Sequence, residues 1–184
     1  MPIHPRLSFL LPLALLGACS TTQTKPVSAA AGATQAPVTV KVIAINDFHG
    51  HIEPPRQSVS AKLSSGETVR VPVGGAAWLG GAIDTYRAKN PNHLVVSAGD
   101  LIGGTPITSS LFLDEPTIGV MNRIGLDFNA VGNHEFDRGR AELLRMQNGG
   151  CAKHTVREPC VVEKDFGGAK FRFLAANVVK EPSV

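Results

Sequence analysis

Aromatic side chains are scarce in this chain, at 5% of 184 residues with a single Trp and a single Tyr, and Lys and Arg do not cluster. Binding single-stranded nucleic acid takes aromatic platforms, and a duplex-binding face takes a basic patch, so a nucleic-acid polymer is not an expected partner. No apolar run reaches the roughly 20 residues of a transmembrane helix. No heptad repeat suggests a coiled coil. Cysteine is limited to three residues, and 18 Lys+Arg against 15 Asp+Glu leave a formal balance of only +3. What is present is an apolar content of 43%, with 19 Gly and 13 Pro. That is enough to build a core, which excludes a wholly disordered chain, and it implies many tight turns rather than a helical bundle. The length suits one domain with an appendage.

The appendage is N-terminal. Leu7 to Leu16 is nearly all apolar, follows Arg6, and runs into Gly17, Ala18 and Cys19. A short apolar stretch ending in small residues reads as a secretory signal. Leu16-Gly17-Ala18-Cys19 resembles a bacterial lipobox, which implies a signal peptide over 1–18 and a lipid on Cys19, anchoring the chain to a membrane. Ser20 follows rather than Asp, which by resemblance to sorted lipoproteins implies the outer membrane of a Gram-negative cell, facing the periplasm or the surface. Residues 19–37 are rich in Thr, Ala, Ser and Gln without periodicity and read as a flexible tether, leaving 38–184 as the folded part. In an exported protein the remaining pair, Cys151 and Cys160, reads as a disulfide; a metal or redox pair with the intervening His154 is the alternative.

Within the folded part, Val38–Ile45 is a β-branched run that predicts a strand buried on both faces. Val59–Leu63 and Thr68–Val73 flank a Gly-containing turn and predict a hairpin. Gly74-Gly75 opens a helix carrying Ala76, Leu79, Ile83 and Tyr86 at helical spacing, stopped by Asn90-Pro91. A strand over Leu94–Ala98, a helix over Pro116–Ile124 capped by Gly125, a strand over Phe128–Val131, a helix over Arg138–Gln147 and a strand over Phe171–Ala176 follow. Strands alternating with helices imply an α/β fold with crossover helices and a largely parallel sheet. Ligands of such sheets sit beyond the carboxyl ends of the strands. Every strand of the crossover series runs straight into polar residues: Asn46-Asp47-Phe48-His49, Gly99-Asp100, Gly132-Asn133-His134-Glu135 and Asn177. A single Asp at a strand end is commonly a turn former or a helix cap. Three consecutive strands ending in such sets converge on one edge, which capping alone explains poorly.

Asp47, His49, Asp100, Asn133 and His134 offer the mixed oxygen and imidazole donors that suit Zn, Mn, Co or Fe. A carboxylate such as Asp100 can bridge two ions that together activate water and clamp an in-line phosphoryl displacement. His134 can act without binding metal, by stabilising charge on a phosphate or protonating the leaving oxygen, with Asp137 orienting it or else capping the following helix. Glu135 reads as a loop-fixing hydrogen-bond acceptor. Gly103-Gly104-Thr105 could form a backbone nest for phosphate.

Asp47-Phe48-His49-Gly50-His51, Gly99-Asp100 and Gly132-Asn133-His134-Glu135-Phe136-Asp137 resemble the first three blocks of the calcineurin-like metallophosphatases. The full Asn46-Asp47-x-His49-x-His51, the Gly74-Gly75-x-Ala77 helix start and Ala175-Ala176-Asn177-Val178 narrow the resemblance to the exported 5′-nucleotidase, UDP-sugar hydrolase and 2′,3′-cyclic phosphodiesterase branch, from about Val40 to Val179. The resemblance implies the N-terminal portion of an α/β/β/α sandwich with a hairpin insertion, and two divalent metal ions. It implies Asp47 and His49 as ligands of the first ion, Asp100 as the bridge, Asn133 as a ligand of the second, and His134 with Asp137 as the catalytic pair. The implied substrate is a nucleotide or nucleotide sugar outside the cytoplasm.

The family's later His-x-Gly and Gly-His-x-His blocks, which bring its remaining imidazole ligands, have no counterpart here, nor does its C-terminal base-binding domain. The chain is therefore expected to be the N-terminal part of a longer enzyme and poorly active alone. The alternatives are a sulfur-oxidation thiohydrolase of the same fold and a non-catalytic surface lipoprotein fragment.

Overall fold

The computed structural model describes residues 36–179. The signal segment 1–18, Cys19 and all but the end of the tether 19–37 lie outside the described residues, as do the last five residues of the folded part.

Four parallel strands form the central sheet in the order β1 (Lys41–Ile45), β4 (His93–Ser97), β5 (Phe128–Ala130), β6 (Arg172–Leu174). Between β1 and β4 the chain makes an antiparallel hairpin, β2 (Gln57–Lys62) and β3 (Thr68–Val73), and then helix α1 (Ala76–Arg87). Helices α2 (Ile107–Ser110) and α3 (Glu115–Ile124) cross from β4 to β5. A 3₁₀ turn (His134–Phe136), α4 (Gly139–Asn148) and a long loop lead from β5 to β6. The α/β class and the parallel sheet stand as the strand and helix periodicities imply. The four-residue α2 and the 3₁₀ turn are too short to carry a periodicity of their own. Among the described residues no helix is long and apolar enough to cross a membrane.

The core lies on one face of the sheet. Ile43 and Val95 of β1 and β4 meet Ile83 of α1, Ile118 and Met121 of α3 and Met146 of α4, with Leu101, Ile102, Phe166 and Phe171 filling between them. Tyr86, which helical spacing placed with the apolar set of α1, is 52% exposed, and Lys89 Nζ lies 5.0 Å from its ring centroid. The expectation that β1 is buried on both faces is also corrected. Val42, Leu94, Phe128 and Leu174 alternate with the core positions and are exposed, because α1, α3 and α4 all contribute to the same core cluster. Apolar character at both positions of a strand's period cannot tell how many layers are present.

The loop before β6 is tied down at two levels. Cys151 and Cys160 form a disulfide with Cα atoms 5.6 Å apart. Beneath it, Arg145 of α4 pairs with Glu142 and with Glu115 at the start of α3, all nearly excluded from solvent. Arg145 also donates to the Gly150 carbonyl, and the Cys160 N–H donates to Glu115.

Candidate metal centre

The three exit loops beyond β1, β4 and β5 are held together by their backbones before any side chain is considered. The Ala98 N–H donates to Ile45 O, Asp47 N–H to Gly99 O (3.1 Å), His49 N–H to Asp100 O (3.0 Å) and Gly50 N–H to Leu101 O (3.0 Å). The pairing of β1 with β4 thus continues past the end of the sheet. Asp47, His49 and Asp100 all adopt left-handed backbone conformations, with φ of 49°, 44° and 54°. Non-glycine residues occupy that region at a cost of order 1–2 kcal/mol each, and such strain collects at functional sites. Here it marks the residues whose side chains meet.

Glu135 fixes β4 and β5 relative to one another. Its buried carboxylate accepts the N–H groups of Asp100, Leu101 and Gly132 and the side-chain amide of Asn129, at 2.7 to 3.2 Å. Asp100 Oδ1 accepts the His134 N–H at 3.1 Å, and a Cβ on Gly132 would overlap that same oxygen. Only Gly fits between the two strand ends.

His49 Nε2 lies 3.8 Å from Asp100 Oδ2 and 4.0 Å from Asp47 Oδ1. These separations are too long for hydrogen bonds. They suit neighbouring ligands of one ion, since donors about 2.1 Å from a shared centre lie about 3–4 Å apart. One donor atom each from His49, Asp100 and His134 falls within 4.8 Å of the others. The two rings meet edge to face with centroids 4.9 Å apart. By its donor set the cluster fits a divalent ion of the Zn, Mn, Co or Fe group. The sequence reading assigned His134 to catalysis, whereas by distance alone it belongs with the donors. Asn133 sits just before it, exposed, and its side-chain amide makes no hydrogen bond among the described residues.

Asp137 Oδ2 lies 2.9 Å from His134 Nδ1, and helix α4 has no side-chain cap. That hydrogen bond is the main cause raising the His134 imidazole above its ordinary pKa; desolvation opposes it, and the charges of Asp137, Asp100 and Glu135 each add a lesser upward push. One N–H of the Gly103–Thr105 segment that a phosphate nest would draw on is already engaged: Gly103 N–H donates to Asp114 Oδ2 at 3.2 Å. Asp114 and Arg138 were missed from sequence. Asp114, just ahead of Glu115-Pro116, has the look of a helix cap, yet it makes no capping hydrogen bond. A cavity of about 500 Å³ adjoins the centre between the β1 exit loop, the hairpin and α1, with Asp47 and His51 among mainly apolar neighbours such as Phe48 and Trp78.

No family model matches the chain. It is 58% identical over 142 residues to an uncharacterized protein of Acinetobacter calcoaceticus, covering 76% of this chain and 70% of that one. It is 42% identical over 118 residues to the endonuclease YhcR of Bacillus subtilis, covering 64% of this chain and 9% of that protein. It is also 42% identical over 102 residues to a probable 5′-nucleotidase of Treponema pallidum, covering 55% of this chain and 16% of that one. The chain thus spans most of the first relative and a small share of the other two.

Proposed function

We propose that the chain, which is similar to 5′-nucleotidases over a small part of their length, is the phosphoesterase part of a metal-dependent hydrolase of nucleotides outside the cytoplasm. The observation that carries the reading is the convergence of His49, Asp100 and His134, with Asp47 beside them, at the carboxyl edge of a parallel sheet. In this reading Asp47, His49, Asp100 and Asn133 would hold divalent metal. A divalent ion bound there would lower the pKa of water and polarise a phosphoryl oxygen.

The remaining chemistry belongs to the chain. Asp137 accepts the Nδ1–H of His134 and favours the imidazolium, the form in which Nε2 also carries a proton. That proton hydrogen-bonds a phosphoryl oxygen and passes to the leaving alkoxide as water attacks phosphorus from the opposite side. Asp100 is held twice, by its own N–H on Glu135 and by its Oδ1 on the His134 N–H, so the carboxylate and the imidazole keep a fixed spacing.

In the same reading residues 38–184 are the phosphoesterase domain, 1–18 a signal peptide, 19–37 a tether and Cys19 the lipid-bearing residue, in keeping with a disulfide at Cys151–Cys160. Metal titration by calorimetry of the 184-residue chain tests the centre. Binding of Mn²⁺ or Zn²⁺ that is lost in His49→Ala and Asp100→Ala is expected, and no binding by the wild type overturns the reading. His134→Asn separates the roles: metal retained with nucleotide hydrolysis lost fits the catalytic assignment, and lost metal makes His134 a ligand.

A further inference from the structure

We propose that Asp114 is a positioning residue for the metal centre: it holds the Gly103–Thr105 loop so that the Gly103 carbonyl fixes the tautomer of His49 and turns its Nε2 lone pair toward Asp100 and Asp47. The importance of that lone pair rests on the metal-centre reading above; the hydrogen-bond chain itself does not.

Asp114 is fully buried, with φ of 65°. A buried carboxylate is tolerated only when its oxygens are engaged, and here both are. Oδ1 accepts Thr105 Oγ1–H at 2.6 Å and Ser109 Oγ–H at 2.8 Å. Oδ2 accepts Gly103 N–H at 3.2 Å and an Arg138 guanidinium N–H. Two of these four donors belong to the Gly103–Thr105 loop, and Arg138 directly follows the His134–Asp137 turn. None is a helix-capping contact.

The loop runs against both imidazoles. A Cβ on Gly103 would overlap the His134 carbonyl oxygen and come within 2.7 Å of Asp137 Oδ2. One on Gly104 would lie 3.4 Å from both His134 Cε1 and His49 Nδ1. Thr105 packs in turn on Gly50 of the β1 exit loop, where a Cβ would come within 2.7 Å of Thr105 Cγ2. With no side chains of their own to anchor them, Gly103 and Gly104 depend on outside hydrogen bonds for their position.

Gly103 O lies 2.8 Å from His49 Nδ1. A carbonyl oxygen can only accept, so the hydrogen must be on Nδ1. In the neutral ring Nε2 then carries the lone pair, and it is Nε2 that faces Asp100 Oδ2 and Asp47 Oδ1. A ligating imidazole is generally oriented in this way, by a hydrogen bond from its other nitrogen, and loss of such support typically weakens metal binding 10- to 100-fold. Asp114 acts one bond further out, through the loop.

The test uses the full chain without metal, at a pH where histidines are neutral, and reads ring nitrogens by ¹⁵N NMR. Wild-type His49 should be the Nδ1–H tautomer. Asp114→Asn should move it toward a mixture with Nε2–H and weaken Zn²⁺ or Mn²⁺ affinity at least about 10-fold, and Thr105→Val should do both to a lesser degree. Asp127→Asn removes another strand-end carboxylate, one that accepts the Val95 N–H; it should leave the tautomer as in the wild type. An unchanged His49 tautomer in folded Asp114→Asn and Thr105→Val overturns the proposal, as does an equal change in Asp127→Asn. If Asp114→Asn does not fold, Thr105→Val decides. Wild-type protein that binds no metal sinks the metal-centre reading, while the tautomer measurement still decides the role of Asp114.

Discussion

At the scale of the residue, His134 and Glu135 are neighbours whose carboxylate environments do opposite things. The Asp137 hydrogen bond to His134 stabilises the charged ring, so its pKa in the folded chain is raised. A raised folded-state pKa means that this contact contributes to stability fully at pH below the unfolded value and loses the contribution as pH rises through the folded value. A ¹H–¹⁵N titration of the metal-free chain should therefore place the His134 midpoint above that of an unperturbed histidine, and Asp137→Asn should bring it down. An unchanged midpoint in Asp137→Asn would show that the hydrogen bond is not the cause. Glu135 instead spends its charge on four N–H donors of two strand ends. Glu135→Gln puts an amide N–H among donors and should cost about 2–4 kcal/mol in chemical denaturation. The role of Glu135 was legible in the sequence, because a carboxylate inside a tight Gly-Asn-His-Glu turn has backbone N–H groups within reach. That of Asp114 was not: its partners at Gly103 and Arg138 are 11 and 24 positions away in opposite directions, and locally it has the signature of a helix start.

At the scale of the element, the parallel order β1-β4-β5-β6 gathers the exit loops on one edge, and two devices keep them in register. One is the backbone ladder that continues from β1 and β4 into the loops. The other is the absence of a side chain at Gly132, which lets the Asp100 carboxylate sit against the β5 exit. Gly132→Ala should displace Asp100, so metal affinity should fall sharply in calorimetry while the far-UV circular dichroism of the helices persists. Affinity equal to wild type would mean that the Asp100 position is not set by β5. The second anchored element is the loop before β6. Its alternation carried no strand or helix signal, and what orders it is a cross-link above a buried Glu115–Arg145–Glu142 group. The disulfide was readable from an even cysteine pair, but the ion group was not, since Glu142 and Arg145 at i, i+3 look like an ordinary surface pair. Replacing Arg145 with Met strands two buried carboxylates. It should cost about 3–5 kcal/mol, more than the roughly 2–3 kcal/mol expected for opening a loop of this size by Cys151→Ser with Cys160→Ser.

At the scale of the whole molecule, the described residues leave one side of a parallel sheet open. The registers Val42↔Leu94, Val96↔Phe128 and Ala130↔Leu174 place these side chains on the face away from the core, with Val42 61% and Leu174 52% exposed. Parallel sheets occur almost only with both faces covered, and contiguous apolar surface on a soluble protein marks a contact or an aggregation liability. The alternation that makes Ile43 and Val95 core residues thus also makes Val42 and Leu94 exposed ones, and only the number of layers distinguishes the two. The 184-residue chain should accordingly bind a hydrophobic dye such as anilinonaphthalene sulfonate in its native state. Thr at Leu94, Phe128 and Leu174 together should lower that fluorescence several-fold and slow self-association measured by light scattering. Because these positions lie on the sheet face while Asp47, His49 and Asp100 lie beyond its carboxyl edge, metal affinity should stay within about two-fold of wild type, well under 1 kcal/mol. Dye binding that survives the triple substitution would place the exposed apolar surface elsewhere, with the cavity beside Phe48 and Trp78 the next location to examine.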